Sequence, residues 1–125
     1  MTTSADFLAY VLEQLAGLED VSSRRMFGGA GLYSNEFFFG LIADDVLYLR
    51  VDDSNRADYS TRGMAQFRPY ADRPHLSMNY YETPADVLED AGELVVWARR
   101  SVEVAMRAPK AAVKAGRRRA RLRKR

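Results

Sequence analysis

Apolar residues recur along this chain in two distinct rhythms. Phe7, Leu8, Val11, Leu12, Leu15 and Leu18 are spaced three and four apart, which predicts an amphipathic helix over 4–18. Ser4 or Thr3 can cap its start, and Gly17 stands near its end. The rhythm then changes to strand. Residues 26–33, 37–43 and 46–51 read as three strands, joined by the short polar connections "SNE" and "DD". In the third strand Leu47, Leu49 and Val51 alternate with Val46, Tyr48 and Arg50. In the second, Phe37, Phe39 and Leu41 alternate with Phe38, Gly40 and Ile42.

A short helix is expected next, with Asp53 or Ser54 as its cap and Gly63 as its stop. Two shorter strands follow at 67–70 and 76–81, turned by "ADRP", with Pro69 marking an edge. "TPAD" opens the final helical region, Thr83 as cap and Pro84 at the first helical position. Asp90 and Glu93 form a second capping pattern, so this region breaks near Ala91 and Gly92 and restarts. Val87, Leu88, Ala91, Leu94, Val95, Ala98, Val102 and Ala105 keep helical spacing, with Trp97 beside the stripe. The predicted order is α-β-β-β-α-β-β-α. It describes an α+β, two-layer sandwich: an antiparallel five-stranded sheet with helices on one face.

At 125 residues the chain is the size of one domain, able to bury a core without staples. With no cysteine, disulfides, thiolate metal sites and a cysteine nucleophile are excluded. One histidine, His75, leaves little for zinc or a triad, and it follows a proline in a turn. Asp44-Asp45 and Asp52-Asp53 look like metal-binding pairs. Neighbours on a strand point to opposite faces, however, and both pairs fall at turns or caps, where aspartate is expected. No catalytic residue, cofactor site or metal site is assigned. No apolar run is long enough to span a bilayer, and the N-terminus lacks a basic start, so a cytoplasmic protein is expected.

Charge divides the chain in two. The first 106 residues carry nine arginines against 17 acidic residues, a net of −8. The last 19 carry ten basic residues and no acidic one. We therefore separate a body, 1–107, from a basic tail, 108–125, expected to be disordered. Lys110, Lys114, Arg117, Arg118, Arg119, Arg121, Arg123, Lys124 and Arg125 are its candidate contacts to DNA or RNA. Dense arginine without aromatics suits phosphate neutralisation rather than base stacking. The same tail can equally remain solvated or lie against its own acidic body.

"RRMFGGAGLY", 24–33, resembles a phosphate-binding loop in composition. Such loops need the glycines to end a strand and start a helix. Here more strand follows, so Gly28, Gly29 and Gly31 are read as backbone devices: a bulge, a sharp coil or close packing. A small anion site beside Arg24 and Arg25 is the other reading.

The same stretch carries a resemblance. Arg24, Met26, Phe27, Gly28, Gly29, Gly31 and Tyr33, followed by "LIAD" and "LYLRVD", are similar to the signature of the TfoX/Sxy N-terminal domain family. "GMAQFRPY", "LSMNYYETPADVLED" and "ELVVWARRSVEVA" resemble its later blocks in collinear order, so the likeness spans about 4–107. It implies a non-enzymatic regulatory domain with the element order already read. The namesakes are positive regulators of bacterial competence genes that act with the cyclic-AMP receptor protein at promoters. They carry a second, helical C-terminal domain, where this sequence has the basic tail. The resemblance thus leads to a protein partner in transcription as an expectation. A chaperone-like or scaffold dimer without a nucleic-acid role is the alternative, and a small-molecule binder or enzyme the third reading. The apolar content of both sheet faces adds a homodimer built through one of them.

Overall fold

A computed structural model of the chain describes residues 3–26, 28–69 and 78–108. They form α1 (Ala5–Gln14), β1 (Val21–Met26), β2 (Gly29–Ser34), β3 (Phe37–Ala43), β4 (Val46–Arg50), α2 (Arg56–Ser60), β5 (Tyr80–Glu82), α3 (Ala85–Leu88) and α4 (Ala91–Arg107). The strands lie in the order β1-β2-β3-β4-β5, every neighbouring pair antiparallel. The α+β fold and its five-stranded antiparallel sheet are as the sequence predicts.

Each helix turns its apolar side to the same face of that sheet. Val11 of α1, Tyr59 of α2, Val87 of α3 and Leu94, Trp97 and Ala98 of α4 share one core cluster with Leu32, Phe39, Ile42, Leu47 and Leu49. The long α4 lies across β3 and β4. Trp97 is buried rather than flanking, its ring edge-on to Tyr59 at 4.9 Å, a contact worth about 1 kcal/mol beyond its area. Local signals set the helix starts. Ser4 Oγ accepts from the Phe7 N–H at 3.1 Å, and Asp90 Oδ1 from the Glu93 N–H at 3.1 Å. The Asp90 cap is what breaks the last helical region into α3 and α4.

Four expectations need correction. The first predicted strand, 26–33, is two strands: Gly28, at φ 80°, turns the chain between β1 and β2. "VSSRRM" hides β1 because it is an edge strand exposed along most of its length, where charge is favoured over apolar alternation. Next, β3 does not alternate throughout. Leu32 pairs with Gly40 while Tyr33 pairs with Phe38, so Phe39 is an extra, bulged residue. It turns into the core beside Gly40, and Phe38 joins Leu41 on the far face. Third, 67–69, the described part of the expected strand 67–70, is not a strand. Its neighbourhood contributes one bridge, Gln66 to Tyr81, and Phe67 exchanges backbone hydrogen bonds with Met78 and Tyr80. Pro69 offers no N–H to extend that ladder; of the expected strand 76–81, residues 76 and 77 lie outside the described residues, 78 and 79 are not strand, and β5 occupies 80–82. Last, α2 and α3 are capped otherwise than expected: Asn55 and Pro84 hold the cap positions, and the Asn55 side chain bonds the Asp52 N–H and the Arg50 carbonyl instead.

Candidate functional site

The face of the sheet turned away from the helices carries a row of rings. Tyr33 and Phe38 lie 5.1 Å apart between centroids, and Phe38 and Tyr80 5.7 Å. The Arg24 guanidinium sits 5.1 Å over Tyr33 at one end, and the Arg50 guanidinium 6.0 Å over Tyr80 at the other. Tyr48 adds a contact to Phe67 at 4.8 Å. Phe67 and Tyr80 are buried, but Tyr33, Phe38, Leu41 and Tyr48 remain half-buried, neither sealed under a helix nor fully wet. Burial holds the Tyr80 phenol above its ordinary range, and burial with the nearby Glu82 and Asp44 does the same to Tyr48.

The glycine stretch builds the floor of this face. A side chain on Gly29 would place its Cβ 2.2 Å from the Ile42 carbonyl oxygen, and one on Gly31 would strike Met26 and Phe38 at 2.7 and 2.8 Å. Backbone proximity and ring packing explain these glycines; no helix N-terminus follows them. Arg24 and Arg25 part company. Arg24 rests on Tyr33, while Arg25 reaches the Thr3 carbonyl at 3.0 Å. Phe27, His75 and the tail cations from Lys110 to Arg125 lie outside the described residues.

At the Arg50 end the face opens into a cleft of about 510 Å³, bounded by β4, the loop after it, β5 and the end of α4. Its wall includes Arg50, Asp52, Asn79, Tyr80, Val104 and Arg107. Ser54 donates to Asp52 Oδ1 from N–H and hydroxyl, at 2.8 and 2.5 Å. Arg107 Nη2 reaches Asp52 Oδ2 at 3.3 Å and Ser54 Oγ at 2.7 Å. The Ser54 hydroxyl and then Arg107 hold the Asp52 carboxyl below the usual range. The sequence did place Arg50 on the face opposite Leu47 and Leu49. It gave no sign of the cleft, because the cleft's residues come from three elements that meet only when the sheet and α4 assemble.

The aspartate pairs have structural duties. Asp44 and Asp45 both take positive φ in the β3–β4 turn, and Asp45 Oδ1 accepts from the Ser4 N–H at 2.8 Å, tying α1 to that turn. Among the described residues no three His, Cys, Asp or Glu side chains gather as metal ligands, and no helix is long and apolar enough to cross a membrane.

The model of the TfoX N-terminal domain matches residues 13–105, from the second half of α1 almost to the end of α4. No curated protein matches the chain. The match takes in the glycine-floored sheet, the ring row and the greater part of the cleft. The chain therefore belongs to the TfoX N-terminal domain family, a family linked to the regulation of competence.

Proposed function

We propose that the chain is a non-enzymatic regulatory module that pairs with a second copy of itself through the ring-bearing sheet face, while its basic tail gives sequence-independent affinity for nucleic acid. The half-buried row of Tyr33, Phe38, Leu41 and Tyr48, on the face the helices leave uncovered, is the observation that carries this reading. A two-layer fold needs one apolar sheet face; a second one favours a protein contact. The tail reading is supported by charge: nine basic residues follow a body, 1–107, of net charge −7. The body repels phosphate and competes for the tail, so binding to DNA is expected to be weak, about 10⁻⁴ to 10⁻⁶ M at physiological salt.

Sedimentation equilibrium on the wild type and on Leu41→Lys tests the first part. The wild type is expected to run as a dimer and the variant as a folded monomer. A wild type that remains monomeric at high micromolar concentration overturns the pairing. For the tail, a chain cut after Ala108 is expected to lose the salt-sensitive binding of labelled DNA shown by the full chain. Equal binding by both forms overturns that part.

A further inference from the structure

We propose that the cleft at the end of α4 binds a small oxyanion-bearing ligand, a carboxylate or a phosphate monoester with an apolar or aromatic remainder, and that Arg50 is its anchor. The cleft is open on one side and of about 510 Å³, room enough to admit a small ligand. Arg50 is the feature that demands an occupant. Arg56, Arg62, Arg99, Arg100 and Arg107 each have a carboxylate within salt-bridge distance. Half-buried Arg50 has none among the described residues; its guanidinium donates from Nη1 to the Phe38 carbonyl at 3.3 Å and lies over Tyr80. A guanidinium partly removed from water, with donors to spare and no counter-charge among the described residues, favours an incoming oxyanion.

The anchor is also held still. Ser101 Oγ and Asn55 Nδ2, both on buried residues, donate to the Arg50 carbonyl at 2.8 and 3.2 Å. The Phe39 bulge ends the pairing of β3 with β4 at Gly40 and Leu49, and the Phe38 carbonyl just beyond is the one that fixes Nη1. A ligand would therefore meet a fixed Arg50 backbone and a guanidinium already resting on the Phe38 carbonyl and the Tyr80 ring, which lowers the ordering cost of binding. Across the cleft Arg107 adds a second positive charge. Asp52, the one acidic group among the described residues of the wall, is satisfied by Ser54 and Arg107, which leaves that lining a net cation. Tyr80, Met78 and Val104 supply the apolar side for the remainder of the ligand.

Nitrogen-15 NMR titration of the full chain with phenyl phosphate and, separately, benzoate tests this, and the stronger probe tells which oxyanion the site takes. Saturable shifts are expected at the amides of Val51, Asp52, Asn79 and Tyr80. Arg50→Gln is expected to weaken binding about tenfold or more, consistent with loss of a charge-assisted hydrogen bond, and Arg50→Lys by less. The tail arginines also attract phosphate, but they are present in every variant, so the difference isolates Arg50. If Arg50→Gln does not fold, Arg107→Gln decides, with several-fold weaker binding expected. Shifts confined to 109–125, no saturation with either probe, or affinity unchanged in the folded variants would overturn the assignment.

Discussion

Replacing Gly29 by valine puts carbon where the Ile42 carbonyl already stands, since even a Cβ would lie 2.2 Å from that oxygen. β2 and β3 must then separate locally, a cost of about 1–3 kcal/mol that urea unfolding will register. Arg24→Gln removes an exposed charge from the Tyr33 ring and is expected to change stability by under about 0.5 kcal/mol. If the valine variant is as stable as wild type, the glycine is not there for packing. Asp52 allows a pH test on the same scale. Its carboxyl titrates below the usual range in the folded chain, chiefly through Ser54 and also through Arg107. A depressed native pKa means that Asp52 stabilises the fold above about pH 4 and loses that contribution as pH falls through the native value. Wild type and Asp52→Asn should therefore match in acid and diverge above it, by under about 1 kcal/mol because the pair is well exposed. A gap that persists unchanged into acid would mean that ionisation is not its source.

Which elements the sequence reveals depends on how many faces each one buries. The helix α1, the strand β4 and the α3–α4 break were legible because apolar spacing and the Asp90 cap each follow from one buried side. The edge strand β1 buries little and carries no such rhythm, so only its last residue, Met26, falls within an expected strand. Three successive phenylalanines in β3 fit either phase of a strand, and nothing local announces that Phe39 is the residue out of step. The glycine stretch was legible as backbone architecture from the strand that follows it. Its ring row was not, since Tyr33, Phe38 and Tyr80 meet through pairing across β2 to β5. The Arg50 cleft needed still more: contact between residues 50, 80 and 107, which no spacing rule connects.

For the molecule as a whole, the tyrosines set an alkaline limit. Burial raises the Tyr59 and Tyr80 phenols above the ordinary range, and Tyr48 follows for burial and its acidic neighbours. Unfolded phenols ionise near pH 10, so the unfolded chain releases these protons first. A raised native pKa gives stability that is complete below about pH 10 and lost as pH climbs toward the native values. Phenolate absorbance is expected to rise in two stages, the second coinciding with loss of the circular dichroism signal. Reversible ionisation of all seven tyrosines near pH 10 with the fold intact would refute the buried assignment.

The bulge in β3 amounts to slack in the chain. Phe39 and Gly40 both face inward where a regular strand would have one residue, so the strand is one residue longer than its pairing requires. Deleting Gly40 takes up that slack: Phe39 and Ile42 keep the core, Phe38 and Leu41 keep the outer face, and no side chain is lost. Deleting Tyr48 from bulge-free β4 instead inverts one half of the strand relative to the other. The Gly40 deletion is expected to fold, at a lower melting temperature because a Cβ there comes within 3.0 Å of the Tyr48 carbonyl oxygen; the Tyr48 deletion is expected not to fold. Thermal melts of the two proteins distinguish them. A one-residue change in length is then most readily absorbed in β3, where both faces keep their side chains.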